Sequence, residues 1–247
     1  MRNHLIVATF LILTAPAAFA ADFDWTEFRA EILAGLGTDN AGSLESLEQR
    51  LATMQPEPEP WRHYWQAYVA FRGGLLREFG ATAKAAFKRC LEHARAAIEL
   101  GETSGESLAL LGGCHSQLAR GGPMAGMRHG GKSSNAADVS LLDAPDNPRV
   151  LIFAGIRDLY TPIMFGGDPE RAERRLKRAL QIMESVNEED RDPWLPRWGR
   201  IDAHGSLALA LAKLERDNEA KGVLDEARAA GLKSAWLDSI GAQLSSD

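Results

Sequence analysis

Two short stretches hold the side chains best suited to chemistry. The first, Gly121 to Lys132, carries Met124, Met127 and His129 in a Met-x-x-Met-x-His spacing, with Arg128 and Lys132 alongside. Thioethers and imidazole are the donor types that hold cuprous copper outside the cytoplasm. The flanking glycines allow close backbone approach to a ligand or to another helix. The second stretch, Thr161-Pro162-Ile163-Met164-Phe165-Gly166-Gly167, follows Tyr160. Connections of this length in a compact fold commonly carry function. Read together, Arg128, His129, Lys132, Tyr160, Met164 and Phe165 form a candidate binding edge. The alternative is that Met164 and Phe165 fill the gap left by a lengthened connection. A third segment, Trp61-Arg62-His63-Tyr64-Trp65-Gln66-Ala67-Tyr68, is rich in rings. Tyr64 and Tyr68 could offer a stacking surface on a concave face, or the stripe could be core.

Catalytic constellations are absent. The chain has no Gly-x-Ser-x-Gly and no His-Glu-x-x-His, and Gly130-Gly131-Lys132-Ser133 lacks the glycine spacing and preceding strand of a phosphate loop. His63, His93, His115 and His204 show no ligand spacing and are expected on helix surfaces or in packing. Glu188-Glu189-Asp190 reads as a solvated charge run. No nucleophile is paired with a base. The expectation is a binding protein without enzymatic activity, cofactor or metal.

The first twenty residues set the compartment. Arg2 is followed by the apolar run Leu5 to Leu13, and Ala18-Phe19-Ala20 supplies small residues where a signal peptidase cuts. This pattern predicts a secretory signal cleaved after Ala20, since the run is too short to span a membrane. Export to the periplasm or beyond is expected, without stable membrane insertion after cleavage. Losing Arg2 reduces the 28 basic residues by one against 34 acids, so the exported chain carries about −7. A mildly acidic chain without a basic stripe does not suit nucleic acid.

In an oxidising compartment the two cysteines can bridge. Cys90 and Cys114 lie about equally far from Glu102, near the expected turn between two helices, so an antiparallel pair would set them side by side. Two small buried thiols are the other reading.

These groups must be positioned by helices. Alternating strand patterns are scarce, whereas 3.6-residue periodicity is strong. Ala83, Phe87, Cys90, Leu91, Ala94 and Ile98 share one face, as do Ala172, Leu176, Ala179, Leu180 and Met183. Asp168-Pro169 and Asn147-Pro148 are helix starts, and Ser43 can cap Leu44 to Met54. Pro56 to Pro60 reads as a stiff linker. With residues 1–20 as signal, residues 21–247 are predicted to form one all-α solenoid of about ten helices in hairpins. Trp25–Gly35 pairs with Leu44–Met54, Trp61–Glu78 with Ala81–Leu100, and Gly105–Ala119 with Lys132–Leu142. Pro148–Tyr160 then pairs with Pro169–Ser185 and Arg200–Leu214 with Asn218–Ala230, and Trp236–Leu244 closes the stack. Trp194 and Trp198, between Pro193 and Gly199, are expected to pack the last connection.

The last hairpin resembles the tetratricopeptide repeat. Leu207, Ala208 and Leu211 stand in its first helix and Ala220, Leu224 and Ala227 in its second, at that repeat's spacing. Ala172, Leu176 and Ala179 repeat the second trio. The Met-x-Gly-Met segment around Met124 and the Tyr160-Thr161-Pro162 to Phe165-Gly166-Gly167 segment resemble those of a group of exported bacterial tetratricopeptide proteins. More distantly, the arrangement is similar to the periplasmic T-component of tripartite ATP-independent (TRAP) transporters, a ligand-binding helical-repeat protein. The resemblance implies binding or assembly. The similar proteins accommodate an aromatic at the His129 position, which argues against a metal. The expectation is therefore a protein or peptide partner in the cell envelope, with small-molecule binding as the alternative. An enclosed pocket lined by Tyr64, Tyr68, Tyr160 and Phe165 would favour the alternative.

Overall fold

The computed structural model describes residues 23–37, 40–187 and 190–245. The expected signal segment, and Glu188 and Glu189 of the charge run, lie outside them. The described residues are all-helical, with eleven α-helices and one 3-10 turn. In chain order the helices are α1 (Trp25–Gly37), α2 (Ala41–Met54), α3 (Glu59–Leu75), α4 (Ala81–Glu99), α5 (Glu106–Ala119) and α6 (Pro123–Asp143). They continue as α7 (Pro148–Tyr160), α8 (Pro169–Ser185), α9 (Arg200–Lys213), α10 (Asp217–Ala229) and α11 (Ala235–Leu244). The 3-10 turn, Ile163–Phe165, joins α7 to α8.

The tightest packing is within the hairpins α3 with α4, α5 with α6 and α7 with α8, and α4 with α5, α9 with α10 and α8 with α9 follow closely. Each pair buries an apolar stripe. On α8 these residues are Ala172, Leu176, Ala179 and Met183, one per turn or nearly so. Alanines facing alanines let the axes approach, and Gly155 carries this furthest: a Cβ there would meet Leu176 Cγ at 2.8 Å. Side-chain caps mark several starts. Asn147 Oδ1 accepts from the amides of Arg149 and Val150, and Asp168 Oδ1 from that of Arg171, each followed by proline at the first helical position.

Three helix starts differ from expectation by two residues or more. Asn40, not Ser43, caps α2, accepting from Gly42 and Ser43 amides, so that helix starts a turn earlier. α3 begins at Glu59, which absorbs the end of the proline-rich linker into its first turn. The largest correction concerns Gly121 to Lys132, which is not a loop. α6 begins at Pro123 and is continuous to Asp143. Each helical glycine costs about 1 kcal/mol relative to alanine, and packing against α5 offsets this. Ser133 Oγ donates to the Gly112 carbonyl at 2.8 Å, and Gly112 lets the α6 backbone approach so closely that a Cβ would lie 3.2 Å from the Ser133 carbonyl.

The core divides into two clusters. One is built on α1 to α5 and is rich in rings; the other is built on α7 to α11 and is mainly Leu, Ile, Val and Ala. A disulfide joins Cys90 of α4 to Cys114 of α5 inside the first cluster, with the Cα atoms 6.3 Å apart.

Candidate functional site

Tyr64 and Tyr68 do not form an open face. Both are fully buried, and the reason lies far along the chain. The segment before α9 folds back onto α3. Trp65 Nε1 donates to the Trp194 carbonyl at 2.8 Å, and Trp198 Nε1 donates to the Tyr64 hydroxyl at 2.8 Å. The Trp198 ring stacks on Tyr68 with centroids 4.6 Å apart and meets Phe153 edge-on. Arg72 pairs with Asp202 at 2.7 Å beside this stack. The rings expected to receive a ligand are thus occupied by the chain's own tryptophans. The centre is filled, and no enclosed pocket brings Tyr64, Tyr68, Tyr160 and Phe165 together among the described residues.

The remaining predicted residues lie toward the same end of the stack, on the first half of α6 and at the turn after α7. The turns joining α5 to α6 and α7 to α8 emerge on the same side of the stack, because consecutive hairpins lie alongside one another. Arg157, near the end of α7, reaches Asp138 of α6 at 2.7 Å. At this edge Tyr160, Ile163, Met164 and Phe165 are 60%, 79%, 82% and 72% exposed. Met164 and Phe165 therefore do not plug a gap. Met124 and Met127, on the first two turns of α6, are also exposed, as are Arg128 and Lys132.

Arg128, His129 and Lys132 sit on a helix rather than in a loop, so their spacing is fixed. His129 Nδ1 lies 2.9 Å from His115 Nδ1 of α5. Burial, the second imidazole and the nearby Arg95 and Lys132 lower the His115 pKa to about 4. His129 is lowered by burial and by Lys132, Arg128 and Arg95. Neutral imidazoles are thus held beside a basic stretch. A second pair, His63 and His93, has its Nδ1 atoms 3.3 Å apart. No group of three or more potential metal ligands converges among the described residues.

The exposed apolar ridge is held from below. Asp158, near the end of α7, is 2% exposed and accepts from Arg171 Nε at 3.0 Å and Nη2 at 2.9 Å, and from Arg175 Nη1. The same Arg171 donates to the Gly166 carbonyl at 2.6 Å. Gly166, at φ 89°, turns the chain in the left-handed region, which favours glycine. Gly167 then passes so close to Thr161 that any Cβ would overlap the Thr161 carbonyl oxygen. Lys213 of α9 donates to the Leu159 carbonyl at 2.6 Å and sits 5.7 Å from the Tyr160 ring centroid. Four large apolar side chains are thereby presented to water on a fixed frame.

The aspartate–arginine cluster was not singled out from the sequence. Its only signal there is an acidic residue inside an apolar helix, Asp158, facing a run of arginines in α8. A second buried ion pair, Arg149 with Glu106 at 3.5 Å, was also missed. Burial raises the Glu106 pKa, and Arg149 and an Asn147 amide oppose the rise.

The fold has a counterpart among solved structures. The chain is similar to the HusA haemophore from Porphyromonas gingivalis. The identity is 22% and the TM-score 0.59, covering 76% of this chain and 94% of HusA. At that identity the likeness to HusA shows the helical fold and nothing finer. No protein-family model and no curated protein matches the chain. No helix of the described residues is long and apolar enough to cross a membrane.

Proposed function

We propose that this chain is an exported, non-enzymatic tetratricopeptide-like protein that binds a flat, apolar, anionic small molecule of the haem type. The site is the edge formed by Tyr160, Ile163, Met164 and Phe165 with the start of α6. The observation that carries this reading is the rigid exposed ridge: contiguous large apolar side chains held open to water mark binding surfaces on soluble proteins. Arg128, Lys132 and Lys213 supply cations for carboxylates, and the ridge supplies a face for a ring. His129 and Tyr160 are side-chain types that can approach a haem iron. HusA, a haemophore on the same fold, supports this choice of ligand.

The test is a titration of the exported chain with haem and with metal-free protoporphyrin, followed by visible absorbance. Saturable binding that drops about tenfold or more in Met164→Ser/Phe165→Ser, with unchanged helicity, is the expected result. Equal binding by wild type and double variant would place the ligand elsewhere, and no saturable binding would reject the class.

The ridge side chains stand out from the surface rather than line a cavity, which also suits a protein partner in the envelope. Crosslinking through Lys132, with mass-spectrometric mapping, is the measurement for that second reading.

A further inference from the structure

A second recessed surface lies apart from the ridge, between α8 and α10 with α9 as its floor. It is a groove open to solvent with about 370 Å³ of space, within the usual range for small-molecule sites. Each helix contributes one stripe: Lys177, Leu180, Gln181 and Glu184 from α8; His204, Leu207 and Leu211 from α9; Glu219, Gly222, Val223 and Glu226 from α10. Consecutive helices run antiparallel, so the groove has two distinct ends, about 10 Å apart at 1.5 Å per residue.

One end is electrostatically closed. Lys177 pairs with Glu173 at 2.7 Å, and Arg216 pairs with Glu173 at 2.7 Å and with Glu219 at 2.6 Å. The other end holds Glu184, His204 and Glu226. Neither glutamate has an ion pair among the described residues. The nearest cation along α9, Arg200, is turned to the Met183 carbonyl at 2.7 Å. His204 is 7% exposed, and its Nδ1 lies 2.8 Å from the Arg200 carbonyl. A carbonyl can only accept, so Nδ1 carries the proton and Nε2 is left as an acceptor. Between the ends the floor is apolar, with Leu207, Leu211 and Val223 buried, and space above Gly222 is open: a Cβ there would meet nothing within 4 Å.

We infer that this groove binds an amphiphilic amine, a small molecule with an apolar stem of about 10 Å and a primary ammonium head. The stem would lie over Leu207, Val223 and Gly222. The ammonium would donate to His204 Nε2 and lie in the field of the exposed Glu184 and Glu226 carboxylates at the same end. A bare metal ion is disfavoured, because these side chains do not converge to ligand distance. A carboxylate ligand is disfavoured by the two unpaired glutamates.

The experiment compares n-octylammonium, n-octanoate and n-octanol by calorimetric titration and thermal shift on the exported chain. The amine is expected to bind at least about tenfold tighter than the acid. Gly222→Leu should abolish this binding while holding or raising the melting temperature, since the new side chain fills open space and leucine favours helix over glycine. Glu184→Gln/Glu226→Gln should reduce the preference for amine over alcohol to near one. Equal binding of amine and acid, or an unchanged affinity in Gly222→Leu, would overturn the inference. Loss of amine binding on Met164→Ser/Phe165→Ser would overturn its placement, whereas failure of haem binding at the ridge leaves it standing.

Discussion

Replacing Asp158 by asparagine tests whether the ridge is held rigid for a reason. The carboxylate side chain is 1% exposed and accepts three hydrogen bonds from two arginines. Asn keeps the volume and one acceptor oxygen but removes the charge, and its amide hydrogens would face guanidinium donors. Hydrogen bonds to charged groups contribute about 1.5–3 kcal/mol each, so loss of all three sets an upper bound of several kcal/mol. Arg171 and Arg175 are 36% and 21% exposed and can turn partly to water, which recovers some of this. A net loss of about 2–3 kcal/mol follows, equivalent to a melting temperature lower by about 5–10 °C for a chain of this size. Circular dichroism melts of wild type and Asp158→Asn at neutral pH give that number directly. Limited proteolysis gives the second readout, because release of Arg171 also frees the Gly166 carbonyl, and cleavage at 163–165 should accelerate. Haem binding should weaken although no ridge side chain has changed. A melting temperature within error of wild type, with unchanged proteolysis, would refute the idea that the cluster supports the tip.

Two further outcomes are expected. Cys90→Ala/Cys114→Ala should lower the unfolding free energy by about 3.5 kcal/mol, the chain-entropy value for a 24-residue separation, as read by urea midpoint. The histidine pairs should make stability acid-sensitive. Burial, followed by His63 for His93 and by His129 for His115, lowers both pKa values to about 4. Above about pH 6.5 both states are neutral at these sites, and below it the unfolded chain takes up protons that the folded chain refuses. Stability should therefore be full above about pH 6.5 and fall toward pH 4, by on the order of 1 kcal/mol per pair because His63, His93 and His129 are partly solvated. His93→Gln/His115→Gln should flatten urea midpoints between pH 7 and pH 5, and an unchanged slope would assign the loss to carboxylates.

The helices were legible because their information is local. Apolar residues every three or four positions and Asn-Pro or Asp-Pro starts act within one turn, and α7 and α8 begin where those dipeptides stand. The Cys90–Cys114 bridge is also nearly local, since equal distance from one turn sets two residues level on neighbouring helices. The start of α6 was not legible, because glycines at 126, 130 and 131 argue against helix on propensity alone. Contacts with α5 overrode that propensity. The fate of Tyr64 and Tyr68 was least legible. Their partner Trp198 is 134 residues from Tyr64, and no periodicity encodes a pairing at that range. The His204 groove was hidden for a similar reason: it needs stripes from three helices, each ordinary by itself.

The folded-back tryptophans also bear on where a ligand can sit. α3, α5, α7 and α9 pack along one layer, the natural inner face of a helical-hairpin stack. Trp198 bridges that layer, bonded to Tyr64, stacked on Tyr68 and in contact with Phe153, while the Arg149 guanidinium lies over its ring at 5.8 Å from the centroid. Opening this face would expose several aromatic side chains and strip the Tyr64 hydroxyl of its donor, each ring being worth about 1.5–3 kcal/mol of burial. A small ligand would have to recover that whole cost before gaining affinity. Binding at the tips or in the outer groove between α8 and α10 incurs no such cost, because both already stand open. A ligand would therefore meet the edge and the outer surface of the stack at lower cost than the aromatic face that the sequence advertises.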